Sequence, residues 1–337
     1  MKTKNYIQLT SALTAIFILN SAYATGTIYD NNTSALNINM LTDKFLEYTH
    51  NGENLSDLFK DKKLYGAMTR IDEYGDDGTT LKQDCIDTKD SDNFIKNIWA
   101  DFGYINDRVH YDNHISKRNR FGIATIGANT KPMGITYGNI YFGVFGGYIN
   151  SDFAHIDSYG NFGGIFAHYN FHSFDATLMT NIGSLNNNSG NIYFNNSWIN
   201  VAFDTSLHFY LTKTFLIRPG AYVSYTYVNS DDLYINDNLV WSDNFNFLNI
   251  APSLQFIKKI VPDWYVSLTA KYVTHFDSAN NIHIGNFKYK DLDIDDYTDI
   301  GLKIEYDISQ FVLDGQIHKQ IGGFDGWSGN INIKYNF

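Results

Sequence analysis

His110, Asp112 and His114 stand at alternate positions in the stretch HYDNH. That spacing could offer imidazole and carboxylate ligands to one divalent cation. A solvated connection between strands accounts for it better, because three polar residues on a loop are not held to one geometry. Asp291, Asp293, Asp295 and Asp296 could attract calcium, but no glycine falls where a calcium loop needs its sharp turn. The chain has no G-x-S-x-G elbow, no H-E-x-x-H and no P-loop. The sequence therefore predicts neither an enzyme nor a cofactor or metal site.

A second set of charges has a different context. Asp101, Asp204, Arg218, Lys271, Lys303, Glu305, Asp314 and Lys334 all lie in segments where apolar and polar residues alternate. In DIGLKIEYDI, Ile300, Leu302, Ile304, Tyr306 and Ile308 alternate with Gly301, Lys303, Glu305 and Asp307. In FLIRPGAYVSYTY, Phe215, Ile217, Pro219, Ala221, Val223, Tyr225 and Tyr227 oppose Arg218, Gly220, Ser224 and Thr226. Successive side chains of a strand point to opposite faces. Each such segment is a strand with one apolar and one charged side.

Twelve segments carry the pattern, with cores near 95–104, 118–129, 138–149, 160–171, 173–184, 197–210, 215–228, 246–257, 263–275, 298–308, 310–319 and 329–337. The register of 118–149 is the least clean, because GVFGGYIN can shift by one residue. The composition agrees: 25 Tyr, 25 Phe and 26 Gly with only 4 Pro suit many strands joined by turns. Short connections (170–175, 211–215, 258–263, 307–310) alternate with long ones (229–244, 277–297, 319–329). A soluble β-sandwich also alternates, but it has no reason to place its long loops at every second connection. A transmembrane barrel does, with short turns at one end and long loops at the other. Closing the sheet satisfies every backbone N–H and C=O without water. The eight charged residues then line the lumen, and Tyr104, Trp198, Trp264, Tyr335 and Phe337 are candidates for the interfacial aromatic girdles.

The N-terminus sets the compartment. Lys2 and Lys4 precede the apolar stretch LTSALTAIFILNS and then Ala22-Tyr23-Ala24. This reads as a secretory signal over 1–24, cleaved between Ala24 and Thr25. The apolar run is shorter than the roughly 20 residues of a spanning helix. Net charge is −11, with no basic stripe to suggest nucleic acid. Cys85 is the only cysteine, so no internal disulfide can form. Between the signal and the first strand, residues 25–93 hold two short helical stretches, MLTDKFLEYTH (Met40 to His50) and LSDLFKDKKLYGAM (Leu55 to Met68), broken at Asn51-Gly52. Ser56 can cap the second, and Leu58, Phe59 and Leu64 give it an apolar stripe, so it is the favoured occupant of the pore.

Several stretches resemble the translocator barrel of autotransporters. NIWADFGY (Asn97 to Tyr104) is similar to that family's opening strand, and YFGVFGGYIN and GNFGGIFAHYNF to its paired glycine-aromatic strands. FLIRPGAYVSYTYV, NIAPSLQF and the terminal NINIKYNF are similar to later strands, with a flavour closest to vacuolating-cytotoxin-like members. The resemblance implies an all-β, 12-stranded antiparallel transmembrane β-barrel over 94–337, with a helix from 25–93 in its pore. It implies type V secretion, in which the barrel translocates or anchors its own N-terminal segment in the outer membrane of a Gram-negative bacterium, with that segment at the cell surface. The partners implied are outer-membrane lipid, periplasmic chaperones and the barrel-assembly machinery, the last reading Ile333, Tyr335 and Phe337 as its signal. The barrel is expected to be a monomer. About seventy residues precede it, far fewer than the family's usual passenger. The alternative is a stand-alone outer-membrane pore of autotransporter ancestry.

Overall fold

The computed structural model describes residues 38, 41, 44–50, 54–60, 94–111, 115–153, 156–189, 192–231, 233–235, 238–242, 244–277, 281–284, 287–290 and 295–337. The signal region, Ala24, Thr25, Cys85, Asp112, His114, Asp291 and Asp293 lie outside them.

Twelve long antiparallel strands form the wall: β1 (Ile95–Tyr111), β2 (Ile115–Thr130), β3 (Gly138–Phe153), β4 (Ile156–Phe171), β5 (Phe174–Ser189), β6 (Ile192–Leu207), β7 (Phe215–Ser230), β8 (Phe245–Val261), β9 (Trp264–Asp277), β10 (Tyr297–Ile308), β11 (Phe311–Gly322) and β12 (Phe324–Asn336). Each pairs with the next, and β12 returns to β1 with Asn97 opposite Asn336 and Val109 opposite Phe324. The sheet is therefore closed and has no free edge. Two short strands extend it, Met133–Ile135 against β3 and Phe209–Thr212 against β7.

The outward face is a band of hydrocarbon side chains. On β10, Leu302 and Ile304 are 40% and 43% exposed, while Glu305 between Ile304 and Tyr306 is fully buried. Water would not tolerate so much continuous apolar surface. It suits a lipid bilayer, where a barrel turns its apolar band outward.

Connections at one end are tight. His172-Ser173, Pro262-Asp263 and Ser309-Gln310 each turn the chain in two residues, with His172, Asp263 and Ser309 in the left-handed region. At the opposite end, the connections after β7 and β9 each carry a hairpin. Asn238–Ser242 pairs with Asn281–Ile284, making a separate four-stranded sheet with Leu233–Ile235 and Phe287–Lys290.

Three expectations are corrected and one open register is settled. The stretch 319–329 is not a long loop: β11 and β12 run through it and only Gly323 separates them. Its glycines read as loop residues, but Gly322 takes φ +120° at the turn and Gly326 lies flush against Asp107 of β1. The uncertain register of 118–149 settles with Phe145 and Ile149 buried and Val144 and Tyr148 exposed. Trp198 is no girdle residue; it is 4% exposed and sits in the interior. Finally, the deepest helix in the barrel is the first of the two helical stretches, α1 (44–50), while only a single turn of the second, α2 (Asp57–Lys60), is described. Ile38, Leu41, Phe45 and Tyr48 recur at the three- and four-residue spacing that gives this stretch the longer apolar stripe, and all four are buried.

Candidate functional site: the occupied barrel interior

The interior has two unlike arcs. Along β1 to β6 it is aromatic. Trp99, Phe145, Phe162, Phe166 and Trp198 point inward and are buried. Each ring covers a glycine directly opposite on the adjacent strand: Trp99 over Gly127, Phe166 over Gly143, Phe162 over Gly147, Phe145 over Gly164 and Trp198 over Gly183. A Cβ at any of these glycines would overlap the ring, so the missing side chain is what lets a large aromatic lie flat on the wall. The two indoles are further fixed by donating to Asn129 Oδ1 (3.1 Å) and Asn181 Oδ1 (2.9 Å).

The charged residues of the interior gather mainly on β6 to β12, with Asp101 of β1 and Asp175 of β5 at the margins of this arc. Lys303 Nζ lies 3.4 Å from Asp314 and 3.7 Å from Glu305. Asn330 donates to Asp101 Oδ2 at 2.6 Å. Lys271 is 3.7 Å from Asp299, whose other oxygen meets His318 Nδ1 at 2.8 Å. Near the tight-turn end, Arg218 Nη2 donates to Asp175 at 3.0 Å, with His208 on the same carboxylate oxygen.

Residues 44–50 of α1 and 54–60 around α2 lie between the arcs. Successive residues of a helix are 100° apart, so Phe45 and Tyr48 share one side while Glu47 and His50 share the other. Phe45 meets the rings of Phe162 at 4.9 Å, Phe145 at 6.3 Å and Trp198 at 6.4 Å; Tyr48 meets Trp99 at 5.8 Å. Burying one such phenyl is worth about 1.5–3 kcal/mol. On the ionic side, Glu47 lies 3.8 Å from His318 and His50 Nε2 is 3.0 Å from Asp204. Below it, Asn54 accepts from the fully buried Lys334 at 2.7 Å, Leu58 C=O accepts from Tyr210 at 2.8 Å, and Asp57 pairs with Lys96 at 3.1 Å. These partners lie progressively nearer the tight-turn end, so the described residues 44–60 descend through the barrel toward the level where β1 begins. Leu55, Leu58 and Phe59 close that end against Leu216, Ile257, Tyr265 and Tyr210.

Between segment and ionic arc a cavity of about 170 Å³ remains, lined among others by Glu47, His50, Asp204, Arg218, Lys271 and Lys303. All eight charged residues named from the alternation lie on the inward side of the wall. Asp101, Arg218, Glu305, Asp314 and Lys334 are buried; Asp204, Lys271 and Lys303 are partly so. Ile333 and Phe337 face outward, and Tyr335 donates to Gln310 at 3.1 Å. His50 and Asn54 had no signal in the sequence, because Asp204 and Lys334 are 154 and 280 residues away in the chain, and Glu47 is tied locally only to Lys44, its wall contact being His318. Among the described residues, no group of three or more His, Cys, Asp or Glu is placed to hold a metal ion.

No protein-family model and no curated protein matches the chain. Solved structures do. The β-domain of the Bordetella autotransporter BrkA aligns with a TM-score of 0.55 at 15% identity, over 73% of this chain and 100% of that domain. The transport unit of AIDA-I from Escherichia coli aligns at 0.58 and 12% identity, over 83% and 99%. The translocator domain of NalP from Neisseria meningitidis aligns at 0.55 and 10%, over 84% and 96%. At such identities the likeness concerns the backbone path. Residues 95–336 thus have the fold of an autotransporter translocator barrel, a closed twelve-stranded wall around its own N-terminal segment.

Proposed function

We propose that the chain is an outer-membrane barrel that translocates or anchors its own N-terminal segment. The observation that carries this reading is the occupied interior. Residues 44–50 meet both arcs with different faces of one helix, and residues 54–60 sit at the tight-turn end of the interior. With that end in the periplasm, as barrels place their short turns, whatever precedes residue 38 is directed toward the cell surface. The inward charges, Asp101, Asp204, Arg218, Lys271, Lys303, Glu305, Asp314 and Lys334, then line a lumen matched to a polar helix face. Cleavage after Ala24, recognition of Ile333, Tyr335 and Phe337 by the assembly machinery, and the monomeric state belong to the same proposal.

Planar-bilayer recording tests it. The full chain is expected to conduct poorly, and deletion of residues 25–93 to open a large, steady conductance. Equal conductance of both would favour the stand-alone pore. An epitope placed after Thr25 should be shaved by protease added to intact cells; protection of the epitope would rule out surface display.

A further inference from the structure

The chain has only five arginines, and three of them, Arg108, Arg118 and Arg120, stand together near the loop end of β1 and β2. Arg108 and Arg118 are directly opposite in the β1–β2 register, and both are exposed. Arg120 follows on the same outward face of β2, opposite Asn106. The outward position before them on β1 is Tyr104, whose pair is Gly122; below these come Phe102 and Ile126, both well exposed. The arginines therefore begin where the apolar band stops.

Like charges directly opposite on adjacent strands repel. Neighbouring acids offset this only in part. Arg120 lies 3.9 Å from Asp152, and Arg108 is opposite Asp325, which is itself ion-paired with Lys319. Among the described residues, Arg118 donates to a neutral amide, Asn106 Oδ1, at 3.2 Å. Among the described residues, Arg108, Arg118, Arg120 and Lys319 lie beside three acids, Asp152, Asp157 and Asp325, so cations still outnumber acids here in a chain of net charge −11. The outward row through Arg120 continues to Asp152, Asp157 and Asn188, and the row below it runs from Gly122 to Asn150, Tyr159 and Asn186, none of them cationic. An anion seated between Arg108 and Arg118 would remove their repulsion and accept both guanidinium forks, which match phosphate bidentately.

We propose that Arg108, Arg118 and Arg120 bind the phosphate groups of a lipid headgroup in the loop-end leaflet of the membrane. The height of the site, one to two outward positions above the last apolar side chains, is that of a headgroup. The patch is open to the side rather than to the lumen, so its ligand arrives along the bilayer. The inference rests on the membrane reading above and adds to it a preferred lipid.

Full-length protein folded in detergent is titrated with bisphosphorylated lipid A, with the same glycolipid stripped of phosphate, and with inorganic phosphate, and bound lipid is counted by native mass spectrometry. Lipid A is expected to bind at least tenfold more tightly than the phosphate-free glycolipid. The Arg108→Gln/Arg118→Gln variant should lose about a hundredfold, since each of its two charge-assisted bonds to phosphate is worth about tenfold. Arg118→Lys should fall between, keeping charge but losing the fork. Equal binding of the two glycolipids, or unchanged binding by the double variant, would overturn the site. So would displacement of lipid A by equimolar inorganic phosphate, which would mark a site for the free ion. Heat-modifiable migration on gels verifies folding of each variant, and the wild-type lipid comparison does not depend on the variants. Wild-type chain that fails to enter vesicles would instead remove the membrane reading, and the lipid site with it.

Discussion

Trp198 of β6 lies flat over Gly183 of β5, its direct partner in the register, and its indole N–H is held by Asn181. The glycine is the floor on which the ring rests, and the ring in turn stacks on Phe45 of the inserted segment. Wall and segment are therefore packed through one shared side chain. Gly183→Ala should destabilise the barrel by about 1–3 kcal/mol, the usual penalty for forcing atoms into a packed interior. Gly127→Ala beneath Trp99 should do the same. Gly122→Ala is the control: its Cβ would meet nothing nearer than 3.9 Å. Urea unfolding in detergent, read by the gel shift between folded and heated protein, ranks the three. Equal midpoints for all would mean that the rings move aside at no cost.

The same pair shows how the sequence reveals the wall but conceals the interior. Period-two alternation identifies all twelve strands, because lipid outside and polar groups inside sort side chains by face. It fails where both faces are apolar. Phe145, Phe162 and Trp198 look outward by composition and point inward in fact, since the segment they hold offers Phe45 and Tyr48. Strand ends were also hidden. The stretch around Gly322, Gly323 and Gly326 has the residues of a loop, yet close approach of neighbouring backbone makes it a tight turn between two strands. Alternation can single out Asp204 or Lys334 on a strand, but nothing local links them to His50 or Asn54.

Phe45 is fully buried among three wall aromatics. Phe45→Ala removes the ring and leaves a cavity, a change that costs about 3–5 kcal/mol in a core. Here the loss falls on docking of the segment rather than on the closed sheet, whose hydrogen bonds are untouched. The variant should remain heat-modifiable on gels and yet show frequent large openings in planar bilayers. Quiet, wild-type currents would show that the segment is retained without this residue.

His50–Asp204 and Asn54–Lys334 tie the ionic face of the segment to opposite sides of the wall. The second pair is the more buried, since Lys334 is fully enclosed while His50 and Asp204 keep side-chain exposures of 30% and 18%. Asn54→Ala leaves the Lys334 ammonium short of an acceptor, at a cost of about 1–3 kcal/mol. His50→Ala should cost less. In a double-mutant cycle, His50→Ala with Asp204→Ala should couple by about 0.5 kcal/mol or more, and His50→Ala with Lys334→Met should be additive. The readout is the rate at which a thiol reagent labels a cysteine placed at Leu46. Labelling that Asn54→Ala leaves unchanged would exclude the Lys334 contact as an anchor.

Leu302 and Gln316 are neighbours across β10 and β11 in height but opposite in direction. Leu302 points out beside Leu268, its β9 partner, whereas Gln316 lines the internal cavity across from Lys303. A charge placed at each asks which side is hydrocarbon. Leu302→Arg puts a guanidinium into the lipid-facing band, at a cost of about 2–4 kcal/mol near the bilayer midplane. Gln316→Glu adds an anion within reach of Lys303 and His318 and should be tolerated. Folding yield into vesicles should fall steeply for Leu302→Arg and stay near wild type for Gln316→Glu. The reverse order would require the wall to be turned inside out, with its ionic face against lipid.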